Sequence, residues 1–470
     1  MFSQYFQTLQ NCLKVGELRS RIFFTLALLV VCRLVAMTPI PGLDGQQLLA
    51  FFDSLRDQQN TGSGGGAGLL GMYSMFTGGA LERCAVGSLG IMPYISATII
   101  LQLMTAVVPS LSKLAREEGG RTQIIKYGRY LTVLLCLGQG FVMSVGWENP
   151  RNIPGFGGFD GELVADPGLW YRIRTMMLLT TGTVLLMWLG EQISERGIGN
   201  GISLVITVGI IARIDQAFLG IKDMFWPASG DGAHLFNLVM LLVLLLTVVG
   251  VVIAVTQAMR KIPVQYAQRQ VGRKMMQGGS TYFPLRVNYA GVMPIIFAQA
   301  ILMFPAQIFQ GLAGWMGEGN GADFFRNLGD ALAYGSFWNL AMQALMILFF
   351  SYFWVATQFN ETQIADDLKK AGGYIPGVRP GNATRDFLHH AMSRLTLAGA
   401  MFLVVIAVIP TVMGINFEIP FTVAQFFGGT SLLIMVGVML DTMRQMESHL
   451  AQHHYDGFLK GGKKVRGRGG

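Results

Sequence analysis

The chain has 470 residues, of which 52% are hydrophobic and 13% charged, and it carries a net charge of +8. A soluble domain of this composition would leave far too much apolar surface in water, so the chain reads as a polytopic membrane protein. Alternating barrel-strand patterns do not occur, and the crossing segments are expected to be helices of about 20 apolar residues, which satisfy their own backbone groups.

In chain order, residues 1–21 read as a cytoplasmic amphipathic segment, with Phe2, Tyr5, Phe6, Leu9, Cys12 and Leu13 on one face suited to the membrane interface. The first span, near 22–38, runs straight into "TPIPG" with no small-residue cleavage site, so it is expected to stay as a span. A low-complexity linker, "TGSGGGAG" at 61–68, precedes the second span near 85–107. Eight more are expected near 128–146, 174–192, 201–218, 235–257, 290–310, 338–358, 391–413 and 425–443, which makes ten. In the basic tail, 446–470, His449, His453 and His454 have helical spacing that reads as a solvated helix end in preference to a metal site. Cys12, Cys32, Cys84 and Cys136 suggest neither a disulfide framework nor a zinc pattern.

Orientation follows from the basic residues, since an even number of spans puts both termini on one side. They cluster at Lys14, Arg19 and Arg21, after span two at Lys113, Arg116, Arg121, Lys126 and Arg129, and again in the tail. The long segments near 258–289 and 359–390 carry Arg260, Lys261, Arg269, Arg273, Lys274 and Arg286, then Lys369, Lys370, Arg379 and Arg385. All of these are expected on the cytoplasmic side. Loops 146–171 and 311–335 are acidic on balance and are expected outside.

Two phrases echo each other: "GIMPYISATII" at 90–100 and "GVMPIIFAQAI" at 291–301. Each opens or lies within the second span of a group of five, so the chain divides near residue 225 into halves 22–225 and 226–445 related by an inverted repeat. Gly90, Pro93, Gly291 and Pro294 are expected to loosen helices in mid-membrane, where bending is needed. The spans carry few ionisable groups, chiefly Arg33, Glu191 and Asp441, whereas isoleucines recur one turn apart as Ile91 with Ile95 and Ile202 with Ile206. No nucleotide-binding loop and no nucleophile with a base at recognisable spacing can be found, so neither an enzyme nor a cofactor is expected. A secondary transporter with an inverted repeat remains the alternative to a channel.

The phrases "PIPG" at 39–42, "FTGGALERCAVGSLGIMPYISATIILQLM" at 76–104, "WLGEQISERGIGNGISL" at 188–204, "VQYAQRQVGRK" at 264–274, "NYAGVMPIIFA" at 288–298, "GGYIPGVRPG" at 372–381 and "FGGTSLLI" at 427–434 carry a resemblance. By their order and spacing the chain resembles the SecY family, the central subunits of the bacterial protein-conducting channel. The resemblance implies an all-α fold of ten transmembrane helices in two inverted five-helix halves around a central pore. It implies translocation of unfolded preproteins across the bacterial cytoplasmic membrane, with lateral release of transmembrane segments into the bilayer.

Roles come with it. Ile91, Ile95, Ile202, Ile206, Ile296 and Ile434 match the family's pore ring, and residues near 70–82, with Tyr73, Phe76, Gly78 and Gly79, match the plug, a short helix capping the pore. Ser96, Gln139 and Asn288 match a polar cluster at the lateral gate, which Pro93 and Pro294 flank. Bonds of that kind within membranes contribute only about 0.6 to 2 kcal/mol, so a leucine-rich signal helix can compete with closure. Arg269, Arg273, Lys274 and Arg379 match the contact with ribosome and motor, where RNA phosphates and carboxylates suit arginine. Implied partners are SecE-like and SecG-like small subunits, a SecA-type ATPase, the ribosome with its RNA, signal sequences and preproteins, SecDF, YidC and membrane lipids. The chain departs from the family at Phe359, Asn360, Glu361, where Phe-Asn-Pro is usual.

Overall fold

The computed structural model describes residues 13–59, 73–150, 159–225, 235–302, 320–416 and 430–460, apart from positions 75, 118, 160, 267–268, 272–273, 277–278, 300 and 333–335, together with 309, 423 and 426. The interfacial segment 1–12, the linker 61–68, Arg273 and parts of the expected spans 290–310 and 425–443 lie outside the described residues.

Helices account for most of the rest. They are α1 (Gly16–Met37), α2 (Gly45–Gln59), α3 (Met92–Val107), α4 (Pro109–Arg116), α5 (Gly120–Glu148), α6 (Leu169–Arg196), α7 (Gly201–Ile211), α8 (Ile214–Phe225) and α9 (Leu235–Gln257). A helix over 293–299, α10, follows, then α11 (Asn320–Ala331), α12 (Phe337–Gln358), α13 (Glu361–Lys370), α14 (Asn382–Asn416) and α15 (Thr430–Lys460). Among the described residues six helical segments are long and apolar enough to cross a membrane, and a seventh forms if α3 and α4 count as one span bent by 103°. Their outer faces are apolar: α1 exposes Phe23, Leu26, Val30 and Leu34, and α5 exposes Tyr130, Leu134 and Val142. Such faces are stable against lipid and not against water. Trp170 and Trp338, both exposed, stand at the starts of α6 and α12, as tryptophans do at a membrane interface.

One expected span is corrected and another carries a break. The second does not run as a helix from 85: residues 77–91 are successive turns and α3 begins only at Met92. Gly90 takes a left-handed φ of 59° and Pro93 sits in the first turn of α3, where its missing N–H costs nothing. The same geometry recurs at the other phrase, with Gly291 at φ 65° and Pro294 just inside α10. Neither proline loosens a helix at mid-length; each helps start one. The span near 201–218 stands as one of the six crossing segments, Gly201–Lys222, with a two-residue turn at 212–213 between α7 and α8.

A small sheet, β1 (Met259–Tyr266), β4 (Ser280–Arg286) and β5 (Gly373–Tyr374), is ordered β4-β1-β5 and antiparallel throughout. A second hairpin, β2 (Arg269–Val271) with β3 (Lys274–Met276), follows β1. Because β5 comes from the segment after α12, the two basic segments expected in the cytoplasm are joined edge to edge. Beneath the sheet Ile262, Val264, Leu285, Phe359, Ile375 and Leu388 form their own apolar core. The two halves of the chain meet where α15 packs on α7 and α1, with the Gly199 N–H donating to Gln445 Oε1 at 2.8 Å.

Candidate functional site

The isoleucines converge. Ile91, the N-cap of α3, Ile95 from α3, Ile206 from α7, Ile296 from α10 and Ile434 from α15 are buried in one apolar cluster, and Ile202 packs against it partly buried. Helical hydrogen bonds set the phase: the Ile95 amide donates to Ile91 O at 3.2 Å, and the Ile296 amide to Val292 O at 3.4 Å. Asn200 caps α7, accepting from the amides of Ile202 and Ser203 at 3.2 and 3.4 Å, and so fixes where Ile202 begins its face. The phrase repeat explains a member that isoleucine counting misses. Val292 stands to Gly291 and Pro294 as Ile91 stands to Gly90 and Pro93, and it is buried in the same cluster.

Phe76 also enters this cluster, and it belongs to the segment expected to be the plug. Among its described residues that segment is helical at 73, 74 and 76, then continues as turns; residues 70–72 and 75 lie outside the described set. The correction has a backbone cause, since Gly78 and Gly79 take φ of 65° and 80°, which ends a right-handed helix. Tyr73 is partly buried, and Phe76, Gly78 and Gly79 are buried. A Cβ on Gly78 would stand 3.0 Å from Gly209 Cα, so the segment lies directly against α7.

Charged groups hold it. Arg33 of α1 donates to the Gly78 carbonyl. Arg213, at the break between α7 and α8, pairs with Glu82 at 2.7 Å, with the two side chains 9% and 3% exposed. The Ser74 hydroxyl donates to Glu82 Oε1 at 2.6 Å and accepts from Arg213 Nη1, and Arg213 Nε donates to Gln216 Oε1 at 2.9 Å. Sequence reading overlooked both Glu82 and Arg213. The available signal was two local charge pairs, Glu82 beside Arg83 and Arg213 two residues before Asp215, each at the edge of an apolar run.

The polar residues matched to the gate are placed differently from one another. Ser96 on α3 is buried, and its hydroxyl has no hydrogen-bond partner among the described residues. Gln139 on α5 is partly buried, and α3 packs along α5. Asn288 lies in the loop before α10, where its side-chain amide donates to Gly291 O at 3.1 Å. This bond shapes the turn that starts α10. Asn288 also lines a cavity of about 630 Å³ with Asn200, Ser203, Asp441 and Arg444. Pro93 and Pro294 are buried at the two helix starts.

At the basic segments, Arg269 and Lys274 fall on the β2–β3 hairpin, in register positions Arg269↔Met276 and Val271↔Lys274. Arg379 is exposed on a turn between Gly377 (φ 84°) and Gly381 (φ 102°), and its carbonyl accepts from the Thr384 hydroxyl at 3.0 Å. At the departure from the family pattern, Asn360 caps α13, accepting from the Gln363 amide at 3.2 Å. Glu361 takes the first helical position, and its carboxylate meets His389 Nδ1 at 2.9 Å.

Residues 85–443 match the family described as SecY. The chain is 40% identical over 462 residues to the protein translocase subunit SecY of Chlamydia muridarum, covering 96% of this chain and 98% of that one. It is 40% identical over 447 residues to the protein translocase subunit SecY of Escherichia coli K12, covering 95% of each. The fold resembles a solved protein-conducting channel with a TM-score of 0.57 at 17% identity, over 95% of this chain and 94% of that one. It also resembles a SecY structure whose plug domain is described as stabilising the closed state and maintaining a membrane seal, with a TM-score of 0.56 at 17% identity over 95% and 94% of the two chains. A TM-score of 0.50 at 16% identity, again over 95% and 94%, relates it to Sec61 in the canine ribosome-channel complex.

Proposed function

This chain belongs to the SecY family and is a multi-pass membrane channel for protein translocation, and we propose that its pore is closed at rest by the six isoleucines that converge from α3, α7, α10 and α15. The reading is supported by one observation above all, the gathering of these side chains in a single apolar cluster drawn from both halves of the chain, five of them buried and Ile202 partly so. A narrow apolar waist holds back ions because an entering ion loses its hydration with nothing to replace it. Branched side chains also yield around a moving polypeptide without hydrogen-bonding to it, so they seal without selecting.

Replacing Ile95, Ile202 and Ile434 together by Ser tests the waist. Wetting is expected to raise resting conductance in planar bilayers, with channels matched for folded protein. Conductance equal to that of the parent would return these residues to ordinary packing.

The remaining assignments belong to the same proposal. Residues near 70–82 act as the plug, and the seam between the α3 and α10 regions, with Ser96, Gln139 and Asn288, acts as the lateral gate that admits signal sequences and releases transmembrane segments to lipid. Arg269, Arg273, Lys274 and Arg379 engage the ribosome, including its RNA phosphates, and a SecA-type motor. The ribosome-bound assembly of a structural relative supports that partnership. SecE-like and SecG-like subunits, SecDF and YidC complete the expected set, in a bacterial cytoplasmic membrane with both termini inside. The transporter alternative finds no support among the relatives, which carry the translocase name.

A further inference from the structure

Glu82 and Arg213 are charged groups buried within a membrane protein, where an ionised side chain is costly unless paired and where its presence points to function. Each belongs to an element with a part in the proposed channel. Glu82 lies on the segment read as the plug, and Arg213 terminates the arm of α7 that carries Ile202 and Ile206. Between them, Gly78 lies against Gly209 of the same helix, and Ser74 bridges the two charges from the other end of the segment.

We propose that Glu82 and Arg213, bridged by Ser74, form a releasable charge latch that holds residues 73–84 shut against α7 and couples them to the isoleucine waist. The proposal rests on the plug reading above. A buried ion pair suits the task because its attraction is largely offset by the dehydration of both ions. When the segment swings away both groups regain water, so release costs less than parting an apolar surface of the same fit. Displacement of Ile202 and Ile206 by an entering polypeptide shifts α7, and the end of that helix is where Arg213 holds the segment. Glu82 and Arg213 are thus positioning residues for gating.

Reconstituted full-length channels, with the partner subunits that copurify, provide the test. Glu82→Gln and Arg213→Gln each leave one buried charge unpaired and are expected to raise resting ion conductance at least about tenfold. Each is also expected to speed labelling of Phe76→Cys by a membrane-impermeant thiol reagent, in a background in which Cys12, Cys32, Cys84 and Cys136 are serine. The double variant E82L/R213M substitutes apolar contact for the pair; it is expected to seal at rest as the parent does but to translocate preproteins more slowly. A merely structural pair would not separate sealing from opening in this way.

Parental conductance in both folded single variants overturns the latch, as does parental transport in the double variant. If the single variants fail to fold, Ser74→Ala replaces them, with a smaller rise in conductance expected and parental conductance counting against the proposal. Deletion of residues 73–80 separates the two readings. A leak on deletion without one in Glu82→Gln leaves the plug standing and removes the latch, whereas no leak in either removes the plug reading itself.

Discussion

Gly90 and Gly291 occupy matching places in the two halves, with φ of 59° and 65°, yet their surroundings differ. A Cβ at Gly291 would meet nothing within 4 Å, whereas one at Gly90 would stand 3.1 Å from Thr77 Cγ2, in the plug segment. Gly291→Ala is therefore expected to lose only the left-handed backbone cost, about 1–2 kcal/mol. Gly90→Ala is expected to lose more, because Thr77 must move as well. Thermal unfolding of the two purified variants checks this, and equal losses would show that the Thr77 contact gives way freely. Asn360 offers a milder test: Asn360→Ala removes the α13 cap and is expected to cost about 1 kcal/mol, read as faster amide exchange in the first turn of α13. Glu361 fits the family's proline position because a first helical residue needs no N–H partner and an acid is favoured there by the helix dipole.

At the scale of elements, the sequence revealed more of the pattern than of its meaning. The paired phrases were legible as a pair, but an apolar run continues upstream of both prolines, so hydropathy alone does not distinguish a helix start from a kink. The one-turn spacing of Ile91 with Ile95 and Ile202 with Ile206 was visible, while their grouping with Ile296 and Ile434 came from the family resemblance; in the structure all six lie in or against one apolar cluster. Glu82 and Arg213 were not paired in advance, because nothing local brings two such distant positions together. The joining of β5 to β1 was equally invisible, since a two-residue strand has no periodicity to read. That joining bears on Arg379, whose turn follows β5 directly. Arg379→Glu is expected to leave folding intact, since the side chain is exposed, and to weaken motor or ribosome engagement by about 2 to 5 kcal/mol through an unpaired partner charge. Preprotein translocation by purified channels measures it, and a wild-type rate would sink the docking role.

For the whole molecule, the lateral-gate proposal requires the α3 and α10 regions to part, while α15 packs on α7 and α1. Cysteines at Ser96 and Asn288, in a background lacking the native four, are expected to crosslink in the resting channel and to block signal-sequence insertion until reduced. A crosslink without effect on translocation would leave the contact and remove the gate. One helix sets how such an opening is driven. α14 has 35 residues, and the 28 that precede Pro410, Asn382–Ile409, alone span about 42 Å, against an apolar bilayer core of about 30 Å. Its first turn is tied to the Arg379 carbonyl through Thr384, and it lies along α12 and touches α15, which bears Ile434. It is a rod with one end under the Arg379 turn and its shaft against α12 and α15. Under the proposed docking at Arg379, a tilt of about 5° imposed at that end carries the Ile409 end of the helix through about 4 Å, so a push on the turn would be felt by leverage at the opposite leaflet.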